Sequence, residues 1–392
     1  MKGVSEELEK IREAGLWRSL QARDTMGAGE QGSMISFASN DYLGLSVESS
    51  IPEAFHEGLV RFGHGATSSR LVCGTSGEHQ ALEAEIAKLK HCDDCLTFAS
   101  GYAAAMGTIP ALVGPNDVVI LDKLSHACLI DAAKLSGATL RVFPHNHLEK
   151  LETLLRTTRE KRGSDSRILV ITESVFSMDG DTAPLREIVE IKDRYDAWLL
   201  VDEAHGFGVL GSQGGGLCQE LGLQSRVDIQ MGTLSKAAGL AGGFIAGSTE
   251  LIALLVNRAR SFIYSTAPPP ALAHAARHAV QLIQSQRGCD LRNTLKENLR
   301  LFTDGTHLAG HRTPIIPIIL GENSAAIELS NHLATLDFLV PAIRYPTVPR
   351  DSARLRVSIS ALHSPHSLTT LRNHLAHLLH RSPDEPSRRN HG

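Results

Sequence analysis

Residues 197–211 read AWLLVDEAHGFGVLG. The run Ala197–Val201 is apolar without alternation, which predicts a short strand covered on both faces. It ends in an acid, Asp202, with His205 three residues further on. Two unrelated signatures overlap here. Asp202-Glu203-Ala204-His205 spells the DEAH box of nucleic-acid helicases, and Gly206, Gly208 and Gly211 have the G-x-G-x-x-G spacing of a dinucleotide-binding turn. A helicase also needs a phosphate loop G-x-x-x-x-G-K-[ST], and no lysine in this chain directly follows a glycine. A dinucleotide turn should follow its strand at once and open a helix, whereas DEAH intervenes here and the chain continues into GSQGGG (211–216), which reads as a flexible loop. A nicotinamide-dependent oxidoreductase remains the alternative from a different class.

The 392 residues are 42% hydrophobic, enough for one large domain and a smaller one. A net charge of −4, with 39 basic and 43 acidic residues interspersed, provides no basic stripe for nucleic acid or a membrane surface. The start MKGVSEELEK is unlike a secretory leader and no apolar stretch approaches a membrane span, so a cytoplasmic enzyme is expected. Six irregularly placed cysteines suggest reduced thiols. The pair Cys92/Cys95 lacks a second pair to complete a zinc site, and His374, His377 and His380 read as one exposed helix face, so no metal is expected.

Apolar runs rich in β-branched residues occur at 95–98, 117–121, 140–143, 167–172, 197–202 and 228–232, and amphipathic helical patterns such as 147–161 and 185–196 separate most of them. This is the pattern of an α/β protein with a mainly parallel sheet and helices on both faces. A further helix begins at TSGEHQALEAEIAKLK, with Thr75 and Glu78 as a capping box. The expected organisation is an N-terminal helix and arm (1–45), a large domain (46–285), a small C-terminal α+β domain with strands at 314–320 and 354–360 (286–380), and a polar, disordered tail (381–392).

Right-handed crossovers bring the strands' C-terminal ends to one edge, where open α/β sheets bind ligands. Those ends carry Ser100, Gly101 and Tyr102; Ser125 and His126; Glu173 and Ser177; Asp202 and His205; and Thr233, Ser235 and Lys236. A lysine desolvated between GTLS and AAGLAGG can form a Schiff base with a carbonyl, and pyridoxal phosphate supplies one. Such a cofactor needs an acid at its ring nitrogen, and Asp202 is the candidate. A carboxylate about 4 Å away favours the protonated nitrogen by roughly 4 kcal/mol at an effective dielectric of about 20, or about three pKa units. His126 suits the ring face, His205 and Ser177 the phenolic oxygen, and the helix start at Gly101 and Tyr102 the phosphate.

The stretches SNDYLGLS (39–46), ESVFSMDGD (173–181), VDEAHGFGVLG (201–211) and GTLSKAAG (232–239) resemble the α-oxoamine synthases, pyridoxal-phosphate enzymes of the aspartate-aminotransferase fold, fold type I. The likeness runs from about Leu16 to about His363. It implies that Lys236 bears the cofactor, Asp202 partners the ring nitrogen, His126 stacks, and His205 and Ser177 lie near the phenolic oxygen. It assigns Gly101, Tyr102 and Thr233 to cofactor binding and Arg18, Asn40, Thr347 and Arg356 to substrate recognition. It implies a homodimer with interfacial active sites, in which Ser265 and Thr266 approach the neighbour's phosphate. Phe207 departs from the smaller or hydroxylated residue of relatives, and GATSSRLVCGT (65–75) is a variable segment near the acyl pocket. Further stretches, among them IYSTAPPPA and AIRYPTVPRDSARLRVSIS, point to the member that condenses L-alanine with pimeloyl-CoA or a pimeloyl carrier protein in biotin synthesis. Members acting on glycine with acetyl- or succinyl-CoA, or on serine with long-chain acyl-CoA, are the alternatives.

Overall fold

The computed structural model describes residues 3–18, 20, 22, 34–306 and 308–379. At its centre lies a seven-stranded sheet: β1 (Asp94–Phe98), β2 (Val118–Asp122), β3 (Thr139–Phe143), β4 (Ile168–Glu173), β5 (Trp198–Asp202), β6 (Ile229–Thr233) and β7 (Gly243–Gly247). Their spatial order is β1-β7-β6-β5-β4-β2-β3. All share one direction except β7, which is antiparallel to both β1 and β6. Successive residues of the central strands feed opposite apolar layers: Val118, Ile120, Val170 and Val201 face one, and Val119, Leu121, Ile171 and Leu200 the other. Helices cover both layers, with Gly77–Lys90, Leu148–Arg162 and Leu185–Arg194 on the first and Gly101–Leu112, Ala127–Leu135 and Thr249–Arg258 on the second. Burial on both faces explains why these strands read as continuous apolar runs.

Strand β7, GFIAG, is the one sheet member absent from the sequence expectation, because glycines hold both ends of a five-residue stretch. Close approach accounts for the first of them: a Cβ at Gly243 would lie 2.5 Å from the backbone of Ser100 and Gly101. Likewise, a Cβ at Gly232 would lie 2.3 Å from the ring of Phe244. Phe207 is buried against that same ring, edge-on with centroids 5.2 Å apart.

Two local expectations are corrected. The helix Gly77–Lys90 is capped by Ser76 with His79, and the expected pair Thr75 and Glu78 has other partners. The Thr75 hydroxyl accepts from Arg70 Nε (3.0 Å), and Glu78 meets His274 (3.0 Å) and Arg277 (3.1 Å). The GSQGGG segment is packed: Lys90 Nζ donates to the Gly215 carbonyl at 2.5 Å, and the Gln219 side-chain oxygen Oε1 accepts from the backbone amides of Gln213 and Gly215, each at 3.0 Å.

Beyond the abutting helices Pro270–Gln284 and Gln286–Thr303, a second sheet forms from β8 (Ile315–Gly321), β9 (Ala342–Ile343) and β10 (Ala353–Ser358), antiparallel in the order β9-β10-β8. The N-terminal arm reaches this region, where Ile35–Ser36 pairs in parallel with Phe338–Leu339. The expected tail (381–392) and His380 lie outside the described residues.

An ion cluster ties the ends of β2 and β3 to the segment following β4. Asp122, wholly buried, accepts from His145 Nδ1 (3.0 Å) and the Asn146 amide (2.8 Å), while His145 Nε2 donates to Asp181 (2.7 Å). With a carboxylate at each ring nitrogen the imidazole is an imidazolium. Burial opposes its charge, but the two carboxylates win and raise its pKa to about 10. A histidine pKa raised on folding contributes stability that is complete below about 6.5 and is lost as pH rises through the folded value. Replacing His145 with Asn is therefore expected to lower stability by about 2 kcal/mol at pH 6, with the difference from wild type shrinking toward pH 10. Urea unfolding at several pH values checks this, and a pH-independent difference would contradict the imidazolium.

Candidate active site

The C-terminal ends of β1, β4, β5 and β6 surround a cavity of about 220 Å³. Ser100, Gly101 and Tyr102 enter from the end of β1, His126 from the loop beyond β2, and Glu173 and Asp202 from the last residues of β4 and β5. His205 follows β5, Thr233 is the last residue of β6, and Ser235 and Lys236 come from the connection between β6 and β7. That connection is closed by Leu234 N–H donating to the Gly242 carbonyl (3.0 Å) and by the Thr233 hydroxyl donating to the same oxygen (2.8 Å).

Local structure resolves the double signature of VDEAHGFGVLG. Asp202 and His205 face the cavity, whereas Glu203 turns away into the protein. The Glu203 carboxylate accepts from the amides of Leu217 (3.0 Å) and Cys218 (2.8 Å) and lies 3.7 Å from the buried Lys90 ammonium. Gly206, Gly208 and Gly211 form turns that lead into no phosphate-binding helix start; a Cβ at Gly206 would meet the Glu203 carboxylate at 2.4 Å. The DEAH stretch therefore combines three cavity-lining residues, Asp202, Ala204 and His205, with one structural acid, and the glycines serve the turn.

Lys236 Nζ lies 2.8 Å from His205 Nε2, and His205 Nδ1 lies 2.6 Å from the Tyr42 hydroxyl. The hydroxyl donates to Asn40 Oδ1 (3.0 Å), and Arg356 Nη2 donates to that same oxygen at 3.0 Å. Arg356 is further fixed by donating from Nε to the Ser177 carbonyl (2.6 Å) and from Nη1 to the Ser358 hydroxyl (2.8 Å). Burial drives the Lys236 pKa down to about 8, against the opposing pull of Asp202 and Glu173. Burial, reinforced by the charges of Lys236, Arg356 and His126, holds His205 neutral.

The acids respond in the opposite direction. Burial raises the pKa of both Asp202 and Glu173; the charge of Asp202 pushes Glu173 further in the same direction, and the charge of Lys236 draws each back. The acids and the amine titrate together. One oxygen of Asp202 accepts from the Ala204 amide (2.9 Å), and Glu173 accepts from the His126 amide (2.5 Å), which places the imidazole at the cavity wall. His126 also caps the helix Ala127–Leu135, its Nδ1 accepting from Cys128 N–H at 3.2 Å.

The other candidates sit further out. Ser177 meets Arg356 through its carbonyl and does not line the cavity. Ser265 and Thr266 also lie outside it, with Thr266 bridged to Ser69. Arg18 and Thr347 are exposed near Arg344, whose side chain donates to the carbonyls of Gly15 (2.5 Å) and Trp17 (2.9 Å) and whose own carbonyl accepts from the Thr347 amide (3.0 Å). Tyr42 was not singled out from sequence; its only signal was a phenol beside Asn40 in SNDYLGLS. Cys92 and Cys95 are free thiols, and His374 packs against Phe338 with centroids 5.9 Å apart.

Residues 32–375 match the family described as aminotransferase class I and II. A protein from Geobacter sulfurreducens named 8-amino-7-oxononanoate synthase is 43% identical over 380 residues, covering 94% of this chain and 95% of the relative. Among solved structures, serine palmitoyltransferase from S. paucimobilis with a bound PLP–myriocin adduct superposes with a TM-score of 0.84 at 26% identity, covering 95% of each chain. The 8-amino-7-oxononanoate synthase of Francisella tularensis superposes with a TM-score of 0.73 at 28% identity, covering 88% of this chain and 99% of that one.

The charge pairing in the cavity has a direct consequence. In cofactor-free protein, the rate at which Lys236 is acetylated by acetic anhydride should titrate with an apparent pKa of about 8. Asp202→Asn removes the carboxylate that favours the ammonium and should lower that pKa by about one unit. Mass-spectrometric quantification of the labelled peptide against pH reads both; an unchanged pKa in the variant would separate the two groups.

Proposed function

Since the chain belongs to the aminotransferase class I and II family, we propose that it is a pyridoxal-phosphate-dependent acyltransferase that condenses L-alanine with a pimeloyl thioester. The products are 8-amino-7-oxononanoate, carbon dioxide and the free thiol carrier, a step in biotin synthesis. The observation that carries this reading is the desolvated Lys236 amine lining one cavity with the buried Asp202 carboxylate. The named relatives that cover nearly the whole chain support the substrate choice.

The donor set suits the cofactor: an amine for its carbonyl, a carboxylate for its ring nitrogen, an imidazole at the wall, and hydroxyls beside a helix start for its phosphate. When bound, pyridoxal phosphate supplies a carbonyl that condenses with amines and a cationic ring that draws electrons from the amino acid's α-carbon. Asp202 would hold the proton on the ring nitrogen and His126 would pack on the ring face. His205 and Ser177 would serve the phenolic oxygen, and Thr233, Ser235, Gly101 and Tyr102 would hold the phosphate. Glu173 orients His126 through its amide.

Arg356 receives the alanine carboxylate, for which its planar fork is suited, and Asn40 assists. The Lys236 amine would remove the α-proton of alanine, acting as general base near its own pKa. The alanine α-carbon would then bond to the acyl carbon as the thiolate leaves, the carboxyl group would depart as carbon dioxide, and the Lys236 ammonium would return a proton to the α-carbon. Arg18 and Thr347, exposed at the outer end, contact the acyl substrate. We further propose a cytoplasmic homodimer in which Ser265 and Thr266 approach the partner's phosphate. Among the described residues no helix is long and apolar enough to cross a membrane.

Incubation with alanine, glycine or serine and a panel of acyl thioesters, with products identified by mass, tests the assignment. Alanine with pimeloyl thioester is expected to turn over best, and preferential use of serine with a long acyl chain would favour the palmitoyltransferase reading. Lys236→Ala should abolish condensation, and Arg356→Ala should raise KM for alanine by roughly 10- to 100-fold, the loss of a charge-assisted bond.

A further inference from the structure

Tyr42 is entirely buried, and its hydroxyl stands where two hydrogen-bonding paths meet. We propose that Tyr42 is a positioning residue that fixes the tautomer of His205 and joins it to Arg356. The inference rests on the reading of Lys236 as the reactive amine.

Counting protons leads to it. A guanidinium only donates, and Arg356 Nη2 reaches Asn40 Oδ1 at 3.0 Å, so the Asn40 oxygen is the acceptor at that point. The Tyr42 hydroxyl, also 3.0 Å from this oxygen, directs its single proton there. His205 Nδ1 lies 2.6 Å from the hydroxyl oxygen, whose proton is already committed, so Nδ1–H is the donor. A neutral imidazole has one ring proton. Nε2 is then the nitrogen with the lone pair, and it faces Lys236 Nζ at 2.8 Å as an acceptor. The reversed arrangement, with Nε2–H turned to the ammonium, would set two donors against each other. The titratable and charged groups around the imidazole that disfavour a second proton on the ring are Lys236, Arg356 and the protonated form of His126.

The phenol is held by the unit that carries Arg356. The Tyr42 carbonyl accepts from the Ala361 amide (2.9 Å), and the carbonyl of Asp41 accepts from the Ser360 hydroxyl (2.7 Å). A carboxylate drawn to Arg356 therefore acts next on Asn40 and Tyr42, and through them on the lone pair facing Lys236. The Tyr42 hydroxyl also accepts a long hydrogen bond from Arg356 Nη2 at 3.4 Å, so the phenol is tied to the guanidinium directly as well as through Asn40.

The test uses cofactor-free full-length protein labelled with 15N-histidine, with the His205 signals assigned by a His205→Gln variant. Long-range proton–nitrogen spectra should show His205 protonated at Nδ1 in the wild type and shifted toward the Nε2-protonated form in Tyr42→Phe. Asn40→Ala, which keeps the phenol but frees its proton for Nδ1, should shift the tautomer the same way. Losing the Nε2 acceptor should also lower the apparent pKa of Lys236 acetylation in Tyr42→Phe by about one unit. An Nε2-protonated wild type, or a tautomer and lysine pKa unchanged in both variants, would overturn the proposal. Product formation by the wild type tests the synthase reading separately, because these measurements compare proteins without cofactor or substrate.

Discussion

An amine and two carboxylates share one buried cavity at the edge of the sheet, and the remainder of the site answers to that constraint. Water would hold the amine protonated and the acids ionised; burial penalises every charge, so the groups settle their protons among themselves. Lys236 is brought within reach of its neutral form. Burial pushes both Asp202 and Glu173 toward their protonated forms, and the charge of Lys236 pulls each back. An amine poised between protonation states suits an acyl transfer in which the same nitrogen must bind, release and accept a proton.

Geometry distributes the remaining tasks over two structural units. The parallel strands bring the charged residues to one edge, while Arg356 arrives from β10 in the C-terminal sheet. What links them is the arm around residues 39–46, hydrogen-bonded to that sheet through Asp41 and Tyr42 and to the cavity through His205. Arg354, beside it on β10, pairs with Asp179, and the Ser177 carbonyl accepts from Arg356, so the segment after β4 is clasped from the same side. The His145 cluster holds the other end of that segment through Asp181.

Much of this was legible in the sequence because two-faced burial leaves continuous apolar runs and because the chemical residues fall directly after them. The strand ends carrying Lys236, Asp202, His205, His126 and Glu173 do converge on one cavity. What escaped was information that resides in contacts between distant segments. Strand β7 was hidden by its end glycines, whose need is visible only where Gly243 meets Ser100 and Gly101 and Gly247 meets Leu251 and Asp228. The helix cap fell to Ser76 because Arg70 and the pair His274 and Arg277 had engaged Thr75 and Glu78. The packing of GSQGGG comes in part from Lys90, 125 residues from its partner Gly215, and in part from the Gln219 side chain just beyond the segment. Tyr42 lies 163 residues from its imidazole partner, a separation across which no local pattern speaks.

The reversal of β7 matters for more than topology. A parallel crossover would have carried the chain away from the edge through a long excursion, leaving the lysine on a ribbon moored at one end. Here the ribbon is moored at both, by the paired ladders of β6 and β7 with the Leu234 and Gly242 backbone locked across its neck. Whatever travel the amine needs between its partners must come from rotation about its own carbon chain, with the scaffold beneath it acting as a fixed pivot.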